Sequence, residues 1–141
     1  MSSVAVARVM FDEAHSEAWT IRAELAAAMQ PAHPQDSSYA GAASALAERD
    51  FTVVPNVDQP LAAETLGGFD LLVIAHPSDP EWERTTGSGS PLLDQVEIDA
   101  IESFVREGGG LIVLGETEQD KYGNNLNELL ARFGVHIDND T

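Results

Sequence analysis

The sequence predicts an α/β domain with a doubly wound parallel sheet of about five strands between two layers of helices. Two observations lead to this prediction. Short apolar runs of strand length recur along the chain, and helix-forming segments separate them. The runs show little alternation of polar and apolar residues, which is typical of parallel strands buried on both faces. The expected architecture is a three-layer, flavodoxin-like sandwich with strand order 2-1-3-4-5.

The element order along the chain follows from apolar runs, helical periodicity and breaker residues. The predicted strands are residues 4–11, 51–55, 69–75, 111–114 and 135–137. The predicted helices are residues 17–29, 38–49, 61–66, 94–107 and 125–133. Pro31 and Pro34 end the first helix, and Asp94 with Glu97 forms a predicted capping box for the fourth. The connection over residues 78–93 is long for a compact domain, so we expect it to be functional or disordered.

The length of the chain fits one domain. Its 141 residues can bury a sizeable core, and we treat residues 1–141 as one unit. The sequence stops directly after the fifth predicted strand, so it is also compatible with the N-terminal part of a longer protein. The first eight residues carry neither a basic leader nor a long apolar run, so we expect no signal peptide, no membrane span and a cytoplasmic location.

The composition excludes several classes of function. Twenty-four acidic residues against seven Lys and Arg give a formal net charge of −17. This charge repels phosphate backbones, so we expect neither nucleic acid nor an anionic membrane as a partner. The chain contains no cysteine, which excludes disulfides, thiolate metal ligands and a cysteine nucleophile.

Cofactor motifs are also missing. The first strand-to-helix turn lacks the glycines that let a pyrophosphate approach a helix N-terminus, so we expect neither NAD nor FMN. Gly108 to Gly110 precede their strand and are interpreted as a helix end and turn. The segment Thr85 to Ser90 resembles a phosphate cradle, but it lacks a lysine and is interpreted as a mobile loop. No G-x-S-x-G motif is present, which disfavours acyl-enzyme chemistry.

Polar residues follow the strands that should meet at the binding edge of the sheet. In a doubly wound sheet, ligands bind beyond the carboxyl ends of the strands, where the strand order reverses. In the predicted order this point lies between the first and third strands. Three sets of residues follow the first, third and fourth strands: Asp12, Glu13 and His15; His76, Ser78 and Asp79; and Glu116, Thr117 and Asp120. We therefore expect the site at this edge.

Imidazole and carboxylate groups can hold a divalent metal, or act as a general base with an orienting partner. As metal ligands we consider His15, His76 and Glu116. Asp12 or Glu13 would then be the catalytic base. The predicted ligand-binding residues are His15, Trp19, Arg22, His76, Ser78, Asp79, Trp82, Arg84, Glu116 and Thr117. Each of these residues also has a purely structural interpretation. Asp12 or Glu13 can cap the following helix, His76 can bond a loop carbonyl, and Trp19 and Trp82 can pack in the core.

Four segments of the chain form a recognisable pattern. They are VMFDEAH (9–15), LLVIAHP (71–77), IESFVREGGGLIVLG (101–115) and NLNELLARFGV (125–135). Together they resemble the class I glutamine amidotransferase-like superfamily, and most closely its non-amidotransferase branches, the ThuA-like and related bacterial domains. The resemblance implies a flavodoxin-like sheet in which residues 101–115 form a helix, a turn and a strand.

The resemblance also implies what this chain does not do. In the amidotransferases a cysteine follows the central strand and a His-Glu pair completes the triad, so glutaminase activity does not carry over to a chain without cysteine. We predict a catalytically degenerate amidotransferase-like domain that binds a small polar molecule, or other domains of a parent protein, at the strand-end crevice. The alternative is a metal-assisted hydrolase or lyase, and a purely structural interaction domain is the third possibility.

Overall fold

The computed structural model describes residues 7–139 and shows an α/β fold. The strands are β1 (Arg8–Asp12), β2 (Thr52–Asn56), β3 (Leu71–Ala75) and β4 (Gly110–Leu114). The helices are α1 (Ala23–Met29), α2 (Ala40–Glu48), α3 (Ala63–Leu66), α4 (Gln95–Arg106) and α5 (Leu126–Ala131). Two 3-10 turns occupy Pro34–Ser37 and Gln119–Tyr122. The predicted beginning of the first strand, residues 4–6, lies outside the described range.

The four strands form one parallel sheet in the order β2-β1-β3-β4. In the register, Phe11 of β1 lies beside Pro55 of β2 on one side and Val73 of β3 on the other. This order confirms the predicted arrangement of the first four strands and gives the sheet a Rossmann-like or flavodoxin-like architecture. It also brings the carboxyl ends of β1 and β3 side by side, at the predicted reversal of strand order.

Side chains that alternate along the strands build two apolar cores. On one face, Met10, Leu72 and Ile74 pack against residues of α3, α4 and α5. On the opposite face, Val9 and Val73 belong to a smaller core that α2 covers. Helices therefore lie on both faces of the sheet, which explains why the strands are nearly continuous apolar runs.

Helix α4 has both of the features that the sequence predicts for it, a capping box and a buried apolar stripe. Its N-terminus carries the predicted capping box, because the Asp94 carboxylate accepts the backbone N–H of Glu97 and the Glu97 carboxylate accepts that of Asp94. Ile98 and Ile101 of the apolar stripe are completely buried. Within residues 7–139, no helix combines the length and apolar character that crossing a lipid bilayer requires.

Residues 135–137 do not form the predicted fifth strand, and within residues 7–139 the sheet ends at β4. Ile137 packs against the larger core. Its backbone N–H donates to Asn127 Oδ1 at 2.7 Å, and its carbonyl accepts from Asn127 Nδ2 at 3.0 Å. The side-chain amide therefore satisfies the backbone groups that a neighbouring strand would otherwise have paired. Apolar character at this position reflects core packing and not a strand.

The first helix begins six residues later than predicted. The predicted helix starts at Glu17, whereas α1 starts at Ala23. The Glu13 carboxylate holds the intervening segment by accepting hydrogen bonds from the Thr20 hydroxyl at 2.7 Å and the Ile21 backbone N–H at 2.8 Å. These side-chain bonds, between residues seven and eight positions apart, replace the first helical turns and override a helix-forming composition.

The long loop over residues 78–93 lies against the turn that follows β1. Ser16 N–H donates to the Ser88 carbonyl at 2.8 Å, and Thr86 N–H donates to the Glu17 carbonyl at 2.9 Å. Gly89, with φ of +69°, approaches the same turn so closely that an added Cβ would lie 2.1 Å from the Ala14 carbonyl oxygen. The loop therefore covers the end of β1.

We predict that Gly89→Ala destabilises the protein more than Gly87→Ala does. Both glycines have positive φ, so both substitutions incur a cost of about 1–2 kcal/mol for a left-handed alanine. Only Gly89 meets backbone, which adds about 1–3 kcal/mol of overpacking, since an added Cβ at Gly87 has no atom within 4 Å. Urea unfolding of the two variants measures the difference, and equal losses of stability would contradict the contact between the loop and the turn.

Candidate functional site

The carboxyl ends of β1, β3 and β4 carry two separate clusters of imidazole and carboxylate groups. The inner cluster consists of Asp12, His15, Glu17 and Glu97, all of which are buried. The outer cluster consists of His76, Glu83 and Glu116, of which only His76 is buried. The two histidines have opposite environments, and this difference decides what each cluster can do.

In the inner cluster, His15 lies between two carboxylates. Its Nδ1 is 2.6 Å from Asp12 Oδ2, and its Nε2 is 2.6 Å from Glu97 Oε2. Each carboxylate is held by further donors, because Asn56 Nδ2 bonds Asp12 at 3.0 Å and the Leu61 N–H bonds Glu97 at 2.9 Å. Both ring nitrogens face acceptors, so both carry protons and His15 is an imidazolium.

The charges of this arrangement stabilise one another. Burial alone would lower the pKa of His15, but the hydrogen bonds and charges of Asp12 and Glu97 outweigh it and raise that pKa to about 10. Burial would likewise raise the pKa of Glu97, but the hydrogen bond from His15 and two backbone amides lower it. The group is a buried ion triad at neutral pH, and its saturated imidazole has no free nitrogen for a ligand.

Glu17 is the member of the inner cluster whose carboxyl group is only partly hydrogen-bonded. Its side chain is completely buried, and its Oε1 accepts the His15 backbone N–H at 2.8 Å. Within residues 7–139, Oε2 has no hydrogen-bond partner. Burial and the nearby negative charge of Asp12 raise the pKa of Glu17 well above its usual value. The carboxyl therefore keeps its proton at pH values where an exposed glutamate has lost it.

The carboxylate of the neighbouring Glu13 is also fully engaged in hydrogen bonds. Besides its bonds to the segment before α1, it accepts from Arg22 Nε at 2.9 Å and pairs with Arg22 Nη2 at 2.8 Å. Asp12 and Glu13 are thus both engaged as structural acceptors, and their predicted catalytic role stays a prediction. Arg22 binds a carboxylate of its own chain in this arrangement.

His76, the buried residue of the outer cluster, follows β3 directly and has a left-handed backbone with φ of +55°. Its N–H donates to the Leu114 carbonyl at 2.9 Å, and its carbonyl accepts the Ala18 N–H at 3.0 Å. The ring packs edge-on against Tyr122, with centroids 4.4 Å apart. A left-handed conformation is uncommon for a residue with a side chain, and such strain is concentrated at functional sites.

The imidazole of His76 is buried without a hydrogen bond. The residue is 2% exposed, and neither ring nitrogen has a hydrogen-bond partner within the described part of the chain. Nε2 lies 3.7 Å from Glu83 Oε1, which is too long for a hydrogen bond. Burial lowers the pKa of His76, although the charges of Glu116 and Glu83 oppose this effect. The ring is therefore neutral at pH 7 and offers a lone pair.

The outer cluster is open at Glu83 and Glu116, and aromatic residues lie in the segments that precede α1 and follow β3. Glu83 is half-buried and also lines a groove of about 590 Å³ between α1 and the 78–93 loop. Burial, and then the charge of Glu116, raise the pKa of Tyr39. Tyr39 stacks on Trp19 with ring centroids 4.4 Å apart. Trp82 is 52% exposed.

The structure divides the predicted metal ligands between the two clusters. His15 lies in the inner cluster, whereas His76 and Glu116 lie in the outer one, so the three side chains do not share one metal position. The reason is that both nitrogens of His15 are already 2.6 Å from carboxylates.

The remaining predicted ligand-binding residues have diverse surroundings. Ser78 is buried, and its N–H donates to the Ser16 carbonyl. Asp79 Oδ1 accepts the Glu81 N–H. Arg84 donates to the Met29 carbonyl, and Thr117 is exposed. Their role in ligand binding stays a prediction.

Three members of these clusters, Glu17, Glu83 and Glu97, are not among the site residues that the sequence predicts. The sequence marks Glu97 only as a capping residue of α4, and its burial beside His15 is a tertiary feature. Glu17 falls in a predicted helix, and Glu83 lies in a loop without periodicity. No local pattern marks Glu17 or Glu83, because tertiary contacts alone bring them to the strand ends.

No family model, curated protein or solved structure matches this chain. The similarity to the amidotransferase-like superfamily therefore stays a prediction, and the fold supports only the coarser description, an α/β domain with a four-stranded parallel sheet.

We predict that His15→Ala lowers the free energy of unfolding by about 3–5 kcal/mol, because it leaves two buried carboxylates without their cation. The folded-state pKa of His15 is raised, so its stabilising contribution is complete below pH 6.5 and is lost as pH rises towards 10. The difference between wild type and variant should shrink over that interval. Urea unfolding at several pH values measures it, with His33→Ala at an exposed position as control. A difference independent of pH would contradict the ion triad.

We predict that Glu17→Gln stabilises the protein at pH 8. The raised pKa of Glu17 means that its contribution to stability is complete below about pH 4.5 and decreases as pH rises. Glutamine keeps the acceptor for the His15 N–H and carries no charge, so the variant should match wild type at pH 4.5 and exceed it at pH 8. Melting temperatures at the two pH values test this. Glu81→Gln, an exposed exchange of the same type, should show neither effect.

Proposed function

We propose that this domain is a ligand-binding module whose binding site is the crevice at the carboxyl ends of β3 and β4, with His76 at its floor. The observation that carries the proposal is the buried imidazole without a hydrogen-bond partner among the described residues. A buried polar group without a partner costs free energy comparable to a lost hydrogen bond. A bound ligand that supplies the partner removes that cost.

The chemistry around His76 favours a cationic ligand. A neutral imidazole offers a lone pair, and Glu83 and Glu116 add two carboxylates at the rim. The formal charge of −17 on the whole chain attracts cations to its surface and repels anions. The small polar ligand expected from the sequence is therefore a positively charged one.

We also infer that the chain is a catalytically degenerate amidotransferase-like domain, from the position of one segment in the fold and from the position of the site. The segment 101–115, on which the resemblance depends, spans the end of α4, a glycine turn and β4. The site follows the central strand β3, where the resemblance places the nucleophile of the amidotransferases. Here the residue at the strand end is His76, and the chain supplies no thiol.

A metal-assisted hydrolase or lyase is the second candidate. The observation that favours it is the open rim, since Glu83 is half-buried and Glu116 is exposed. A metal held there by three protein ligands would keep a coordination position for water or a substrate, as catalytic zinc sites do. Such an enzyme would use the outer cluster and not the trio of His15, His76 and Glu116.

We predict that a cation stabilises the wild-type protein and does not stabilise His76→Asn. Asparagine tolerates left-handed backbone better than most residues, so the variant should keep the fold while losing the imidazole. Thermal shifts with zinc, magnesium, calcium, putrescine and arginine provide the test. A ligand at 100 times its Kd adds about 2.7 kcal/mol, which raises Tm by several degrees. His136→Asn, at an exposed histidine, is the matched control. Equal shifts in all three proteins would refute the site.

A further inference from the structure

We propose that the outer cluster binds one divalent transition-metal ion of the zinc type through His76 Nε2 and the carboxylates of Glu83 and Glu116. This inference rests on the proposed function of the crevice and names the cation that it takes. The candidate ligand atoms of the cluster lie within 4.8 Å of one another.

The spacing of the donor atoms fits a metal better than a hydrogen bond. Atoms bound about 2.0–2.1 Å from a tetrahedral zinc ion lie roughly 3.3–3.5 Å from one another. His76 Nε2 and Glu83 Oε1 are 3.7 Å apart, a few tenths of an ångström more than this edge. Metal binding would require the half-buried Glu83 carboxylate to rotate by this small amount, because hydrogen bonds fix the backbone of His76 and Tyr122 packs against its ring.

The inner cluster provides an internal comparison. Asp12, His15 and Glu17 also have donor atoms close together. However, His15 Nδ1 and Asp12 Oδ2 are only 2.6 Å apart, a hydrogen-bond distance that leaves no room for an ion between them. The second ring nitrogen of His15 is engaged by Glu97 at the same distance. Of the two clusters, only the outer one combines a free imidazole nitrogen with a suitable spacing.

The donor set and its charge indicate the class of metal. Imidazole nitrogen with carboxylate oxygen suits zinc and its neighbours, while magnesium and calcium prefer oxygen ligands alone. Two carboxylates balance the two positive charges of the ion. The buried ring lies at the bottom of the site and the acidic rim is open, so an ion can enter from solvent past Glu83 and Glu116. Binding would also give one orphaned nitrogen of His76 a partner.

The experiment is zinc titration of chelator-treated protein by calorimetry, with cobalt absorption to report on the ligands. We expect one zinc ion per chain, with an excess of magnesium unable to displace it. Changing groups that merely orient a metal ligand costs about 10–100-fold in affinity. Loss of a ligand should cost at least that much, so Glu83→Gln and Glu116→Gln should weaken binding by at least about tenfold and His76→Asn by about 100-fold. Glu81→Gln and His136→Asn should bind as wild type does.

The outcomes separate this inference from the proposed function. Absence of zinc binding, or weak binding of several ions that no substitution changes, overturns the metal site. If putrescine or arginine then stabilises the wild type and not His76→Asn, the crevice is a site for an organic cation and the proposed function stands. If no cation depends on His76, both proposals fail. The two glutamine variants lie at the rim, so they test the ligands even if His76→Asn does not fold.

Discussion

The arrangement of the strand ends depends on the imidazolium of His15 between the carboxylates of Asp12 and Glu97. This triad joins the end of β1 to the first turn of α4, and Glu97 extends it to the Leu61 backbone. Removing two anions and one cation from water is costly, so these groups persist only because each has several well-placed partners. The triad therefore holds the sheet, the helix layer and the turn after β1 in one relative position.

The other polar groups at this edge follow from that constraint. Because the turn after β1 is held in place, the Glu13 carboxylate can accept hydrogen bonds from the segment before α1. The 78–93 loop can then lie across the same turn. Glu17 is buried beside a carboxylate and must keep its proton. The residues at the end of β1 that the sequence predicts as catalytic thus have their polar side-chain atoms bonded to other groups of the chain, and they support the turn. Among residues 7–139, the buried side-chain atoms without a hydrogen-bond partner are Glu17 Oε2 in the inner cluster and the two ring nitrogens of His76 farther out.

The two buried histidines illustrate how burial alone fails to identify function. His15 is 5% exposed and His76 is 2% exposed, yet one is an ion with two partners and the other a neutral ring whose nitrogens have none among residues 7–139. Burial lowers the pKa of both rings. At His15 the hydrogen bonds and charges of Asp12 and Glu97 outweigh burial and the pKa rises, whereas at His76 burial prevails and the pKa falls. The strain of a left-handed backbone at His76 adds to the cost of leaving its ring unpaired.

The sequence by itself determined the parallel α/β class, the order of the first four strands and the capping box of α4, because these depend on local periodicity and on general rules of connection. It also located the edge of the sheet at which His15, His76 and Glu116 lie, since strand ends follow from strand positions. Tertiary structure alone decided the late start of α1, the loss of the fifth strand and the division of the cluster. The reason is physical: Glu97 lies 82 residues from His15, and no local pattern specifies which distant carboxylate will reach a given imidazole.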